Sequence, residues 1–82
     1  MTIQEARKTR RPFRRIGESS WIEDAGAWCA RFRKDNHGLS PRAQLREASF
    51  ILCGDDDAYP YHISDADLVA DNWEIKEDSP HA

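Results

Sequence analysis

Residues 59–75 constrain the fold more tightly than any other stretch, because they carry a complete local design. Ser64 is a natural helix N-cap, and Asp67, three residues on, closes a capping box back onto the Ser64 amide. Asp65 and Asp67 place negative charge in the first turn, at the positive end of the helix dipole. Leu68 and Val69 follow as the expected buried side of a short helix. Asp71-Asn72 ends it, since both side chains favour turn geometry. Trp73-Glu74-Ile75 alternates apolar, polar, apolar, the pattern of a closing strand with Trp73 and Ile75 facing inward. Ahead of the helix, Ala58-Tyr59-Pro60-Tyr61 reads as an aromatic strand, and Pro60 suggests an edge position.

The upstream chain supplies the elements this unit must pack against. Thr2 caps a first helix from Ile3 to about Thr9, with Glu5 at the capping-box position and Ile3 and Ala6 as its apolar stripe. Arg7 and Lys8 lie near its C-terminus, where cations are favoured. Pro12 cannot continue the helix, and Phe13-Arg14-Arg15-Ile16 reads as a short strand. After a turn at residues 17–20, Trp21-Ile22 begins an extended piece, and Asp24-Ala25-Gly26 looks like a hairpin turn. Residues 27–33 alternate, with Trp28, Ala30 and Phe32 on one side and Cys29, Arg31 and Arg33 on the other, the period of a half-buried strand. Residues 34–38 form a second turn. Ser40-Pro41 signals a helix start, with a short helix running to about Glu47. Ser49-Phe50-Ile51-Leu52-Cys53 is apolar on both faces, as in a central strand, and Gly54-Asp55-Asp56-Asp57 turns the chain. The sum is a small α+β domain: an antiparallel sheet packed with two or three short helices, oligomeric, over residues 1–78, with 79–82 as a flexible tail.

Size and charge bear on the assembly. A chain of 82 residues buries only about 60% of the surface its unfolded form exposes, so an isolated subunit is marginal. The net charge of −3 conceals a partition: residues 1–46 balance at +6 and residues 47–82 at −9. Such halves are expected to pair, within a subunit or between subunits. No apolar run approaches membrane-spanning length and no signal peptide is read, so a cytoplasmic location is expected. Cys29 and Cys53 sit in apolar segments without the spacing of a metal knuckle or redox motif, and read as reduced core residues.

Catalytic and metal chemistry find little support. His37, His62 and His81 share no ligand spacing with each other or with the cysteines, and no metal or cofactor is expected. Asp55-Asp56-Asp57 lacks the rest of a calcium-loop pattern. No nucleophile elbow or Gly-rich phosphate loop is present, and a non-enzymatic role is expected. Arg14 and Arg15, adjacent on one strand, point to opposite faces; one suits a phosphate while the other stays solvated. Trp73 reads as core, and Trp28 as core or subunit interface. Trp21, beside a Gly/Ser loop, suits either a pocket wall or a cap on the sheet.

Three blocks together resemble one known family. They are the N-terminal helix with Ile3, Glu5 and Ala6; the basic strand Arg11-Pro12-Phe13-Arg14-Arg15 followed by Trp21-Ile22; and the unit from Tyr61 to Ile75. In the last block Pro60, Ser64, Asp67, Ala70, Trp73 and Glu74 match the family pattern directly, while Tyr61 stands for a Trp, Val69 for a Leu and Asn72 for an acid. The chain is similar to the phage family that contains the second Thoeris anti-defence protein, a small domain shared with a type II-A anti-CRISPR protein. That resemblance implies a homotetramer or dimer that sequesters cyclic ADP-ribose-type signals, and in some members cyclic oligonucleotides, without cleaving them. It marks Trp21 and Tyr61 as base platforms. Arg14 and Arg15 are phosphate candidates, Ser64 offers helix amides, and Asp67 suits ribose hydroxyls. Base stacking on an aromatic contributes about 1–3 kcal/mol.

Two other readings compete. An inhibitor that binds a bacterial defence complex directly would use the acidic residues 55–57, 65, 67 and 71 as a phosphate mimic. Direct nucleic-acid binding through the basic half is disfavoured by the overall acidity.

Overall fold

The computed structural model describes residues 1–54 and 57–77. The elements run α1 (Ile3–Lys8), β1 (Phe13–Arg15), β2 (Trp21–Asp24), α2 (Ala25–Asp35), α3 (Ala43–Glu47), β3 (Phe50–Cys53), β4 (Ala58–Tyr61), α4 (Asp65–Val69) and β5 (Trp73–Ile75). The strands form one antiparallel sheet in the order β4-β3-β2-β1-β5. The fold is therefore a small α+β arrangement with a five-stranded sheet and, among the described residues, four helices.

Register divides the side chains between two faces, because directly paired residues in an antiparallel ladder project to the same side. The chain of pairs Ile75–Phe13–Ile22–Leu52–Tyr59 lies on one face, joined by Trp73–Arg15 and Phe50–Tyr61. On this face α1 contributes Ile3 and Ala6 to a core with Phe13, Ile22 and Trp73, and Phe50, Tyr61, Ile63 and Ala70 pack around it. Phe13 meets Phe50 and Trp73 edge-on, with centroids 6.0 and 5.6 Å apart, the arrangement that aromatic quadrupoles favour. The opposite face carries Arg14–Glu74, Trp21–Cys53–Ala58 and Glu23–Ile51–Pro60. There α2 and α3 cover the β2–β4 side, burying Ala25, Leu45 and Ile51 with Trp28 partly covered beside them.

Both sheet edges are blunted. Pro60 withholds a donor on β4, as its edge position requires. On β5 the Trp73 amide donates to the Met1 carbonyl at 3.0 Å, and the Met1 amino group donates to Asp71 O at 2.8 Å. The described helices include none long and apolar enough to cross a membrane.

Several expectations are corrected. Residues 27–33 form the middle of α2, not a strand, and Asp24-Ala25-Gly26 is the start of that helix, not a hairpin turn. The Asp24 carboxylate accepts from the Ala27 amide at 3.2 Å, an N-cap, and Ala25, Trp28, Cys29 and Phe32 make a helical stripe at i, i+3, i+4 and i+7. The apolar residues of this segment fit both periods, and the cap decides between them. Ser40-Pro41 does not open α3; the helix starts at Ala43 with Arg42 as its uncapped N-terminal neighbour, and Pro41 is buried in the connection. Leu68 and Val69 are not the buried side of α4, being 51% and 84% exposed; Asp67 and Ala70 turn inward instead. Cys29 and Cys53 are free thiols as expected. The turn at Asp55-Asp56 and the tail 79–82 lie outside the described residues.

Candidate functional site

The six residues singled out from sequence fall on both sides of the sheet. Arg14 and Trp21 share the face carrying α2 and α3, while Arg15 and Tyr61 project from the other, beside Ser64 and Asp67 of the α4 unit. The opposite orientation of Arg14 and Arg15 follows the strand period, as expected, and leaves at most one of them on either face of the sheet.

The second group is a closed structural network. The Asp67 carboxylate is 5% exposed as a residue and accepts from Tyr61 Oη at 2.6 Å and from the Ser64 amide at 3.1 Å. Ser64 Oγ accepts in return from the Asp67 amide at 3.2 Å, completing the capping box. Arg15 Nη1 stands 3.8 Å from Asp67 Oδ1 while its Nε donates to Asn72 Oδ1 at 3.1 Å, and Trp73 Nε1 donates to the Asp67 carbonyl at 3.1 Å. Burial pushes the Asp67 carboxyl up, but the Tyr61 and Ser64 hydrogen bonds and Arg15 outweigh it, and the net shift is downward. Burial, then the hydrogen bond and charge of Asp67, push the Tyr61 phenol up to about 12. These groups use their donors and acceptors on each other. That is how Asp67, an acid on a helix otherwise exposed, comes to hold the α4–β5 corner to β1 and β4.

On the opposite face Arg14 lies over the Trp21 ring, its guanidinium carbon 4.0 Å from the centroid, and pairs with Glu74 at 3.1 Å. The Trp21 ring is thus already covered by a cation on one side. Alongside, Glu23 takes both terminal nitrogens of Arg31 at 2.6 Å and accepts from Cys53 Sγ at 3.2 Å. Burial and the adjacent Glu23 push the Cys53 thiol up to about 12, which keeps it protonated and unreactive.

Two openings lie elsewhere. A cleft of about 560 Å³ forms where the end of α1 and the loop after it meet β1, β2 and the start of β3. Arg7, Lys8, Arg10 and Arg11 line it with Phe13 and Phe50. The volume is in the range of small-molecule sites, about 300–1,000 Å³. The Arg7 guanidinium sits 4.9 Å from the centroid of Phe50, covering one side of that ring as Arg14 covers Trp21 and leaving the outer guanidinium plane toward the cleft. Glu23 and Asp24 also border the cleft, but the Glu23 carboxylate is taken by Arg31 and that of Asp24 by the Ala27 amide. The loop is fixed: Thr9 Oγ1 donates to Ala6 O at 2.7 Å and accepts from the Arg11 amide at 3.2 Å, and Pro12 O accepts from the Lys76 amide at 2.8 Å. Arg10 takes φ of 59°, a left-handed conformation that costs a side-chain-bearing residue roughly 1–2 kcal/mol.

None of the six sequence-named residues lines this cleft. The signal was present as the basic run at residues 7–11, which reads equally well as complement to the α1 dipole; only the return of Phe50 beside it makes a cleft. A second opening of about 540 Å³ lies between α2 and α3, where Trp28 and Phe32 stack at 5.2 Å near Arg42 and Leu45. Among the described residues no group of three His, Cys, Asp or Glu side chains converges as a metal site.

No protein-family model matches the chain, and no curated protein or solved structure matches it.

Proposed function

We propose that this chain is a non-catalytic binding protein that captures a nucleotide-type immune signal, a cyclic ADP-ribose isomer or a cyclic oligonucleotide, and holds it unaltered in the host cytoplasm. The observation that carries this reading is the cleft beside α1, where Arg7, Lys8 and Arg10 gather around the half-buried Phe50. A cyclic nucleotide needs cations for its phosphates and a flat surface for its base. Guanidinium planes serve both ends, forking onto phosphate oxygens and stacking on bases. Arg7 over Phe50 offers such a plane. The resemblance of the N-terminal and C-terminal blocks to the Thoeris anti-defence family points to the same ligand class. Relative to the sequence-based expectation, the proposed ligand moves from Trp21 and Tyr61 to this cleft, because Tyr61 is bonded to the buried Asp67 and Trp21 is covered by Arg14.

Assembly belongs to the same proposal. The half-exposed Arg14–Trp21–Glu74 surface beside α2 suits a contact with a second copy, and a homo-oligomer is the proposed working form.

The runner-up reading, an inhibitor that binds a bacterial defence protein directly, draws on α4. Leu68 and Val69 are exposed there, flanked by the exposed carboxylates of Asp65 and Asp71. Apolar anchors with a charged rim are a common protein-binding composition.

A thermal-shift panel tests the first reading. A ligand at 100 times its Kd stabilises by about 2.7 kcal/mol, which moves the melting temperature of a domain this size by on the order of 10 °C. Such a rise with at least one cyclic ADP-ribose isomer or cyclic oligonucleotide is the expected result. A flat panel, with a defence protein instead retained by the wild type and lost by Leu68→Asp, would transfer the assignment to the second reading.

A further inference from the structure

Resting on the reading of the cleft as the ligand site, we infer that its α1 lip is a pyrophosphate subsite and that Arg10 is its positioning residue. Three observations converge. The strand arginines are engaged, Arg14 with Glu74 and Arg15 with Asn72 and Asp67, whereas among the described residues Arg7, Lys8 and Arg10 make no direct ion pair, Glu5 acting on Lys8 only at longer range. These three cations occupy one helical turn and its exit, and all line the same cleft. Finally, Arg10 occupies the position just beyond the helix cap in a left-handed conformation, where glycine is the least strained choice. His37 takes the same conformation beyond the cap of α2, so the backbone geometry is a way of ending a helix. What distinguishes Arg10 is that it lines the cleft.

The loop that holds Arg10 is ordered by its own hydrogen bonds: the Arg10 amide donates to Arg7 O at 3.1 Å, and Thr9 Oγ1 bridges Ala6 O and the Arg11 amide. The backbone that carries the cations is therefore ordered in advance of any ligand, while the exposed side chains of Lys8 and Arg10 are ordered on binding. Two guanidiniums and one ammonium match a diphosphate better than a single carboxylate, since each guanidinium forks onto two oxygens and the summed charge balances two to three negative charges. The anion meets the negative end of the short α1 dipole, and the three cations offset that repulsion. Of the acids bordering the cleft, Glu23 is paired with Arg31, while Asp24 caps α2 through one oxygen and keeps its charge, which the three cations outweigh.

The test is isothermal titration with inorganic pyrophosphate, ADP and adenosine against the wild type, Arg10→Gly, Arg10→Asn, Arg10→Lys and Arg46→Ala, with melting curves of each protein alone. The wild type is expected to bind pyrophosphate and ADP and to bind adenosine at least tenfold more weakly. Arg10→Gly should melt at or above the wild-type temperature yet lose at least tenfold in pyrophosphate affinity. Arg10→Asn, whose side chain tolerates the left-handed region, should lose binding in the same way, Arg10→Lys should lose less, and Arg46→Ala on α3 should bind normally. Wild-type affinity in Arg10→Gly and Arg10→Asn, equal weakening by Arg46→Ala, or no pyrophosphate binding at all would overturn the inference. Pyrophosphate binding that depends on Arg10, with no binding of any cyclic nucleotide, would keep the subsite and remove the signal-capture reading. Cyclic nucleotide binding that ignores Arg10 would do the reverse.

Discussion

The Asp67 carboxylate receives a phenol, a main-chain amide and the edge of a guanidinium while almost entirely buried. Its carboxyl is held below the ordinary value, so its contribution to stability is present above the unfolded value near 3.9 and is lost as pH falls through the folded one. Asp67→Ala leaves those donors unpaired and should cost roughly 1–3 kcal/mol at pH 7 by urea melts, with a flatter acid limb than the wild type. The alkaline limb has the opposite origin. Tyr61 and Cys53 are both pushed up to about 12, so the unfolded chain releases those protons first and stability should fall from about pH 9 through 12. Tyr61→Phe should remove the part of that loss that begins near pH 10, while lowering stability at pH 7; an unchanged alkaline limb would deny the Tyr61–Asp67 bond. Half of this network was legible in sequence. The Ser64–Asp67 box is local, three residues apart, and its spacing announces it. The Tyr61 and Arg15 contacts depend on which strands flank α4, and no local pattern carries that.

At the scale of elements, α1, the capped α4 and the Trp73 strand were readable because caps and alternation agree in those stretches. Between residues 24 and 35 they disagree. Trp28-Cys29-Ala30-Arg31-Phe32 satisfies a two-residue period, while Ala25, Trp28, Cys29 and Phe32 satisfy a helical one. Asp24 settles it as an N-cap, and Ala and Arg, good helix formers, fill the exposed positions. Asp24→Ala should therefore destabilise by about 1 kcal/mol and reduce helical circular dichroism on partial denaturation. No change in stability would mean that tertiary packing alone holds α2 in place. Leu68 and Val69 were misplaced for a related reason. A five-residue helix has too few positions for a stripe to specify its buried side, and the Asp67 bonds to Tyr61 and Ser64 fix the rotation instead.

For the whole molecule, the sheet order β4-β3-β2-β1-β5 brings the C-terminal strand back beside β1, so the basic and acidic halves interleave. Among the described residues, Arg14–Glu74 and Arg15–Asp67 are ion pairs that join them. Sequence charge partition foretold pairing of the halves but not which cations would be left over. Those at the α1 lip line a cleft because β3 places Phe50 beside Arg7, a meeting of residues far apart in the chain. On the proposed function, this cleft retains a nucleotide signal without altering it. The protein should be incubated with a cyclic ADP-ribose isomer that passes the thermal-shift panel, washed, denatured, and the released compound weighed by mass spectrometry beside an Arg7→Ala, Arg10→Gly double variant. Recovery of the intact mass from the wild type, with at least tenfold less from the variant, is the predicted result. A hydrolysed product, or equal recovery from both proteins, would contradict the account.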